Sequence, residues 1–135
     1  SDQMMVEPAR FAARMAAAQG QPVYAYRFAY VADSMKKEWP GALHATEIPY
    51  VFDTVQARYA DALTANDKAL AEQVQRYWVN FAKTSTPNGE GLPAWPRYDA
   101  KNDQIMLFPA QGAQHTKPIT DPWQARLDLV EQLVK

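Results

Sequence analysis

The stretch Val23–Tyr30 constrains the fold most. It alternates, with Tyr24, Tyr26, Phe28 and Tyr30 falling on one face of an extended chain. Aromatic residues suit a pleated, half-buried surface, so the stretch reads as a strand with a buried aromatic face. Such a strand needs neighbours. One other clear strand is readable, Gln104–Phe108, preceded by a turn at Lys101-Asn102-Asp103. A two-stranded sheet is marginal in water, and most sheets hold about 4–6 strands. The pattern therefore predicts the interior of a wider sheet than the chain supplies. The remaining strands are expected on another part of a longer protein, or on a second copy.

Helical periodicity accounts for much of the rest. Glu7–Gln19 carries Phe11, Met15 and several alanines at helical spacing, with Pro8 in the first turn and Gly20 as a stop. Asp67–Lys83 is the clearest element. Its Leu70, Val74, Tyr77, Trp78 and Phe81 share one stripe, and Asn66 stands where an N-cap is expected. A last helix opens with Asp121 as cap and Pro122 in its first turn, and places Trp123, Leu127, Val130 and Val134 on one face. Asp33–Thr54, broken by Pro40, Gly41 and Pro49, is expected to be a long loop with at most short helical turns. Val55–Leu63 reads as a short helix, and 84–97 as a loop. Strands alternating with helices point to an α/β fold.

A chain of 135 residues fits one compact unit. Fourteen Lys and Arg against fifteen Asp and Glu leave a net charge of −1, which provides no electrostatic footprint for nucleic acid or an anionic membrane. No apolar run approaches the roughly 20 residues that span a bilayer. The absence of cysteine excludes disulfide scaffolds, thiol catalysis and Cys-ligated zinc. Ser1 is not an initiator methionine, so the chain is expected to be a processed or excised piece.

Two histidines are present. His115 lies among Gln114, Thr116 and Lys117 and reads as an exposed loop residue. His44 follows the aromatic strand, where open α/β sheets place ligand-binding residues. His44 and Glu47 form H-x-x-E, but a metal would need one or two further ligands, and the Pro- and Gly-bounded loop is no helix face. No metal or cofactor is expected.

The run Gly41-Ala42-Leu43-His44-Ala45-Thr46-Glu47-Ile48-Pro49-Tyr50-Val51-Phe52 resembles the catalytic-histidine segment of type-B carboxylesterases, the cholinesterase-like branch of the α/β-hydrolases. Tyr77-Trp78-Val79-Asn80-Phe81-Ala82-Lys83-Thr84-Ser85-Thr86-Pro87-Asn88-Gly89, followed by Trp95-Pro96-Arg97-Tyr98, is similar to that family's helix-to-loop signature. Asp2, Pro8-Ala9-Arg10 and Pro22–Phe28 also match in type and spacing. The resemblance implies the C-terminal part of an α/β-hydrolase fold, meaning the last strands and helices of the sheet and the catalytic-histidine loop. It implies that 1–135 is one segment of a larger catalytic domain, and that the activity is serine-dependent hydrolysis of a small-molecule carboxylic ester. His44 is then the triad histidine, the general base toward the serine and the acid toward the leaving alcohol, a role that suits imidazole's ordinary pKa of about 6.5. Glu47 is implied as a buried supporting carboxylate. Trp39, Leu43 and Thr46 are implied as walls of the substrate pocket.

No G-x-S-x-G and no glycine-rich oxyanion loop occur in the chain. The resemblance places the nucleophile, the acid and the oxyanion donors before Ser1, so the principal partner is the N-terminal remainder of the hydrolase and the isolated chain is expected to be inactive. A non-catalytic, cholinesterase-like interaction domain is the alternative. Self-association of the isolated chain through an open sheet edge is a third expectation. Two positions depart from the family pattern, Ala45 and Ser85, each standing where glycine is usual. If position 45 requires a positive φ, alanine is strained there.

Overall fold

The computed structural model describes residues 2–134. A π-helical turn at Asp2–Val6 leads into α1 (Glu7–Ala18), and β1 follows at Tyr26–Phe28. Short helices α2 (Ile48–Val51) and α3 (Val55–Tyr59) precede the long α4 (Ala65–Thr84). β2 (Gln104–Phe108), β3 (Lys117–Thr120) and α5 (Gln124–Val134) complete the order. The strands pair in the sequence β1–β2–β3. Met106 N–H donates to Ala25 C=O at 2.9 Å and Ala29 N–H to Phe108 C=O at 2.8 Å. The paired residues advance together along both strands, so β1 and β2 run parallel.

Several expectations are corrected. The strand expected over Val23–Tyr30 is shorter, running over Tyr26–Phe28, and Tyr26 on its aromatic face stays 40% exposed. β3 went unread because Pro118 and Lys117 are poor strand formers; Pro is tolerated on an edge strand, and β3 lies at the edge of the order. The cap of α4 is Thr64, not Asn66. Thr64 Oγ1 accepts from Asp67 N–H at 3.2 Å, while Asp67 Oδ2 accepts from Thr64 N–H at 2.9 Å, a reciprocal capping box. α5 starts at Gln124, after a turn in which Asp121 Oδ1 accepts from Trp123 N–H at 2.9 Å. The expected apolar contribution of Val134 lies outside the described side chains.

The chain divides into two compact units. One comprises residues 1–25, 95–106 and 118–135. Its interior holds Trp95, Tyr98, Ile105, Met106 and Leu127. Trp95 donates its indole N–H to Ala25 C=O at 3.0 Å, so it serves as a hydrogen-bonded pin as well as an apolar anchor. α1 inverts the usual pattern. Its buried residues are Glu7 and Arg10, whereas Phe11 and Met15 are about half exposed. Arg10 reaches Asp103 through Nε at 2.9 Å and Nη2 at 2.5 Å, and Asp128 Oδ1 through Nη2 at 2.7 Å. Tyr98 adds its hydroxyl to Asp103, and Arg14 Nη1 reaches Glu131 Oε2 at 2.7 Å. The bridge ties α1, the turn before β2 and α5 together. A buried pair of this kind adds little over an apolar substitute, but removing one partner strands a charge.

The other unit comprises residues 26–94 and 107–117. Tyr30, Tyr50, Leu70, Val74, Tyr77 and Phe108 form its centre, each at most 1% exposed. The expected α4 stripe is buried at Leu70, Val74 and Tyr77, while Trp78 is half-buried and Phe81 is 44% exposed. Gly112 has a φ of +102°, and a Cβ there would collide with Asn66 Oδ1, so only glycine fits.

The buried phenols make the protein sensitive to alkali. Burial, then the hydrogen bond to Asp67, holds the Tyr30 hydroxyl well above the usual tyrosine range, and burial, then the charge of Asp67, does the same for Tyr50. Burial pushes Tyr77 up to about 12; burial and then Asp103 push Tyr98 up to about 12. Raised folded values give stability that is complete below the unfolded tyrosine pKa of about 10 and is lost as pH rises through the folded values. Absorbance titration at 295 nm should therefore show these four tyrosines ionising late and together with loss of the fold. Ionisation of all seven near pH 10 with the fold retained would contradict this.

Candidate active site

His44 lies on a turn between two anchored ends. Upstream, Tyr30 donates its hydroxyl to Asp67 Oδ1 at 2.7 Å, and Asp33 N–H donates to the same oxygen at 3.1 Å. The start of the long loop is thus tied to the first turn of α4. Downstream, α2 packs on α4. Its Tyr50 ring sits 5.7 Å from Tyr30 and 5.3 Å from Phe28, centroid to centroid. The loop was expected to hold only short helical turns, and it does: a 3₁₀ turn at Asp33–Met35 and α2.

The turn itself spans Leu43 to Thr46. Thr46 N–H donates to Leu43 C=O at 3.3 Å, and Thr46 Oγ1 donates to the same oxygen at 2.8 Å. Ala45 has a φ of +65°, so the condition attached to this position in the sequence is met. Ser85, the other departure from glycine, is also left-handed, with φ +59° at the C-terminus of α4. An L-residue in that region costs roughly 1–2 kcal/mol, since its Cβ crowds the following carbonyl. Ala45→Gly and Ser85→Gly should therefore each stabilise the protein by about 0.5–1 kcal/mol, after the greater chain entropy of glycine is subtracted. Urea midpoints would check both, and a lower midpoint in either variant would contradict the expectation.

His44 is exposed, and its imidazole has no hydrogen-bond or ionic partner among the described residues. Glu47 is half-buried, not fully buried, and lies near enough to Tyr26 that its charge, after burial, helps hold that hydroxyl above its ordinary range. Leu43 is 48% exposed, while Trp39 and Thr46 are half-buried. Leu43, Ile48 and Phe52, in the same stretch of chain as the histidine, are exposed apolar side chains. His115 is exposed on its own 3₁₀ turn, as expected. No group of three or more His, Cys, Asp or Glu among the described residues is placed to hold a metal ion. No helix among them is long and apolar enough to cross a membrane. The Asp67 cluster was missed in the sequence, although Thr64-Ala65-Asn66-Asp67 is a readable capping-box pattern.

Residues 1–123 match the profile described as the carboxylesterase family. The chain belongs to this family. Carboxylesterase 5A of Canis lupus familiaris is 35% identical over 78% of the chain, and the cocaine esterase of Homo sapiens is 34% identical over 83%. The chain spans about a fifth of the length of these relatives: 20% and 21%. The crystal structure of the Geobacillus stearothermophilus carboxylesterase EST55 at pH 6.8 superposes on 87% of the chain with a TM-score of 0.66 and 31% identity, using 24% of that protein. The fold of this carboxylesterase-family chain is accordingly part of an α/β-hydrolase fold.

Proposed function

We propose that the chain is the C-terminal segment of a larger α/β-hydrolase catalytic domain and supplies the triad histidine, His44, for serine-dependent hydrolysis of carboxylic esters. The observation that carries this reading is the placement of His44: within the family-matched residues, on a braced turn, with its imidazole free for an incoming hydroxyl. In this reading the imidazole takes the proton of the serine hydroxyl as its oxygen attacks the ester carbonyl. It returns the proton to the leaving alcohol and repeats both steps with water to release the acid. The nucleophile, the triad acid and the oxyanion donors belong to the upstream segment. Glu47 is assigned a supporting role, and Leu43 and Trp39 part of the pocket wall. Ile48 and Phe52, exposed on the unit that carries His44, are apolar groups that the remainder of the domain would cover.

The protein joined to its upstream segment should hydrolyse short-chain nitrophenyl esters, and the 135-residue chain alone should not. An organophosphate that labels serine hydrolases should attach upstream and leave this chain unlabelled. Turnover by the isolated chain would overturn the assignment. An unlabelled, inactive longer protein would favour a non-catalytic interaction domain.

A further inference from the structure

We propose that Thr46 is a positioning residue for His44, acting through its hydroxyl on the Leu43 carbonyl; this rests on the assignment of His44 above. Two donors of one residue converge on one acceptor. Thr46 N–H lies 3.3 Å from the Leu43 oxygen, near the long limit for a backbone bond, whereas Thr46 Oγ1 lies 2.8 Å from it. The shorter, side-chain bond is the stronger closure of the turn. The two residues enclosed are His44 and Ala45, and Ala45 holds a left-handed φ of +65° that alanine disfavours. Nothing in Ala45 itself favours that conformation. The next backbone bond, Ile48 N–H to Ala45 C=O, is also long at 3.4 Å. The anchors at Tyr30 and Tyr50 fix the ends of the segment but lie 14 and 6 residues away in sequence from His44. The Thr46 hydroxyl is therefore the local restraint that opposes relaxation of position 45 and rotation of the His44 Cα–Cβ direction with it. Its proton is engaged inside the turn, which suits a role in aiming the imidazole. A general base displaced by about 1 Å from its productive position can lose on the order of 10²-fold in rate.

The test uses the longer protein and a nitrophenyl ester. Thr46→Val keeps the shape and removes the donor; Thr46→Ser keeps the donor. Thr46→Val should lower kcat about 10-fold, with KM unchanged within a factor of two and the urea midpoint nearly unmoved. Thr46→Ser should retain kcat within about two- to threefold. A Val variant with full kcat, or Val and Ser variants equally impaired, would overturn the proposal. A change confined to KM would support the pocket-wall role instead. His44→Ala in the same assay separates the two assignments: if it kept full activity, the reading of His44 would fail whatever Thr46 does. If it lost activity while Thr46→Val did not, only the positioning role would fail.

Discussion

Replacing Asp67 with alanine is expected to destabilise the protein by about 3 kcal/mol, because it removes the acceptor of the Tyr30 hydroxyl, Asp33 N–H and Thr64 N–H. The carboxylate is fully buried. Its Oδ1 accepts from the Tyr30 hydroxyl at 2.7 Å and from Asp33 N–H at 3.1 Å. Its Oδ2 accepts from Thr64 N–H at 2.9 Å. The Thr64 hydroxyl stands 2.9 Å from Asp67 Oδ2 and 2.6 Å from Asp33 Oδ2, so its single proton serves one carboxylate at a time. Each buried donor left unpaired costs about 1–3 kcal/mol, and the helix also loses half of its capping box. The costs overlap, which keeps the total below their sum. Asp67→Asn retains an acceptor and should cost roughly half as much. Urea unfolding of the parent and both variants would measure this. Equal midpoints for parent and Asp67→Ala would show that the cluster contributes nothing to stability.

The fold was legible in the sequence wherever one periodicity ran unbroken. α4 is readable because Leu70, Val74 and Tyr77 recur on one face, and all three are buried. β2 runs over Gln104–Phe108 as its alternation implies. β1 is shorter than its alternation because the ladder depends on its neighbour: Val23 C=O accepts from Tyr98 N–H at 2.7 Å, a loop residue, not from a strand. Periodicity failed for α1, where the buried face is an ion pair to Asp103, 93 residues away, and no local pattern announces such a partner. It failed also for β3, whose proline and lysine are tolerated only because the strand lies at an edge. At the site, the position of His44 was carried by the resemblance of the residues around it. The strain at Ala45 was legible as a condition, since glycine is the residue that a left-handed position demands. The Thr46–Leu43 closure was not, because a threonine hydroxyl has many local acceptors and sequence does not choose among them.

The largest effect is expected on chemistry. In the proposed reading, His44→Ala in the longer protein removes the group assigned to take the serine proton and return it to the leaving alcohol. General acid–base transfer by a positioned side chain is worth about 10²–10⁴-fold, and triad members act as a unit, so the loss lies at or above the upper end of that range. The fold should be untouched, because His44 is exposed and its side chain has no partner among the described residues. Misfolding is thereby separable from lost catalysis: the urea midpoint should stay with the parent while turnover falls. The decisive measurement is kcat/KM for a nitrophenyl ester in the parent and in His44→Ala, at matched folded concentration. The expected result is a loss of about 10⁴-fold or more with an unchanged unfolding midpoint; activity within a few-fold of the parent would contradict the assignment of His44.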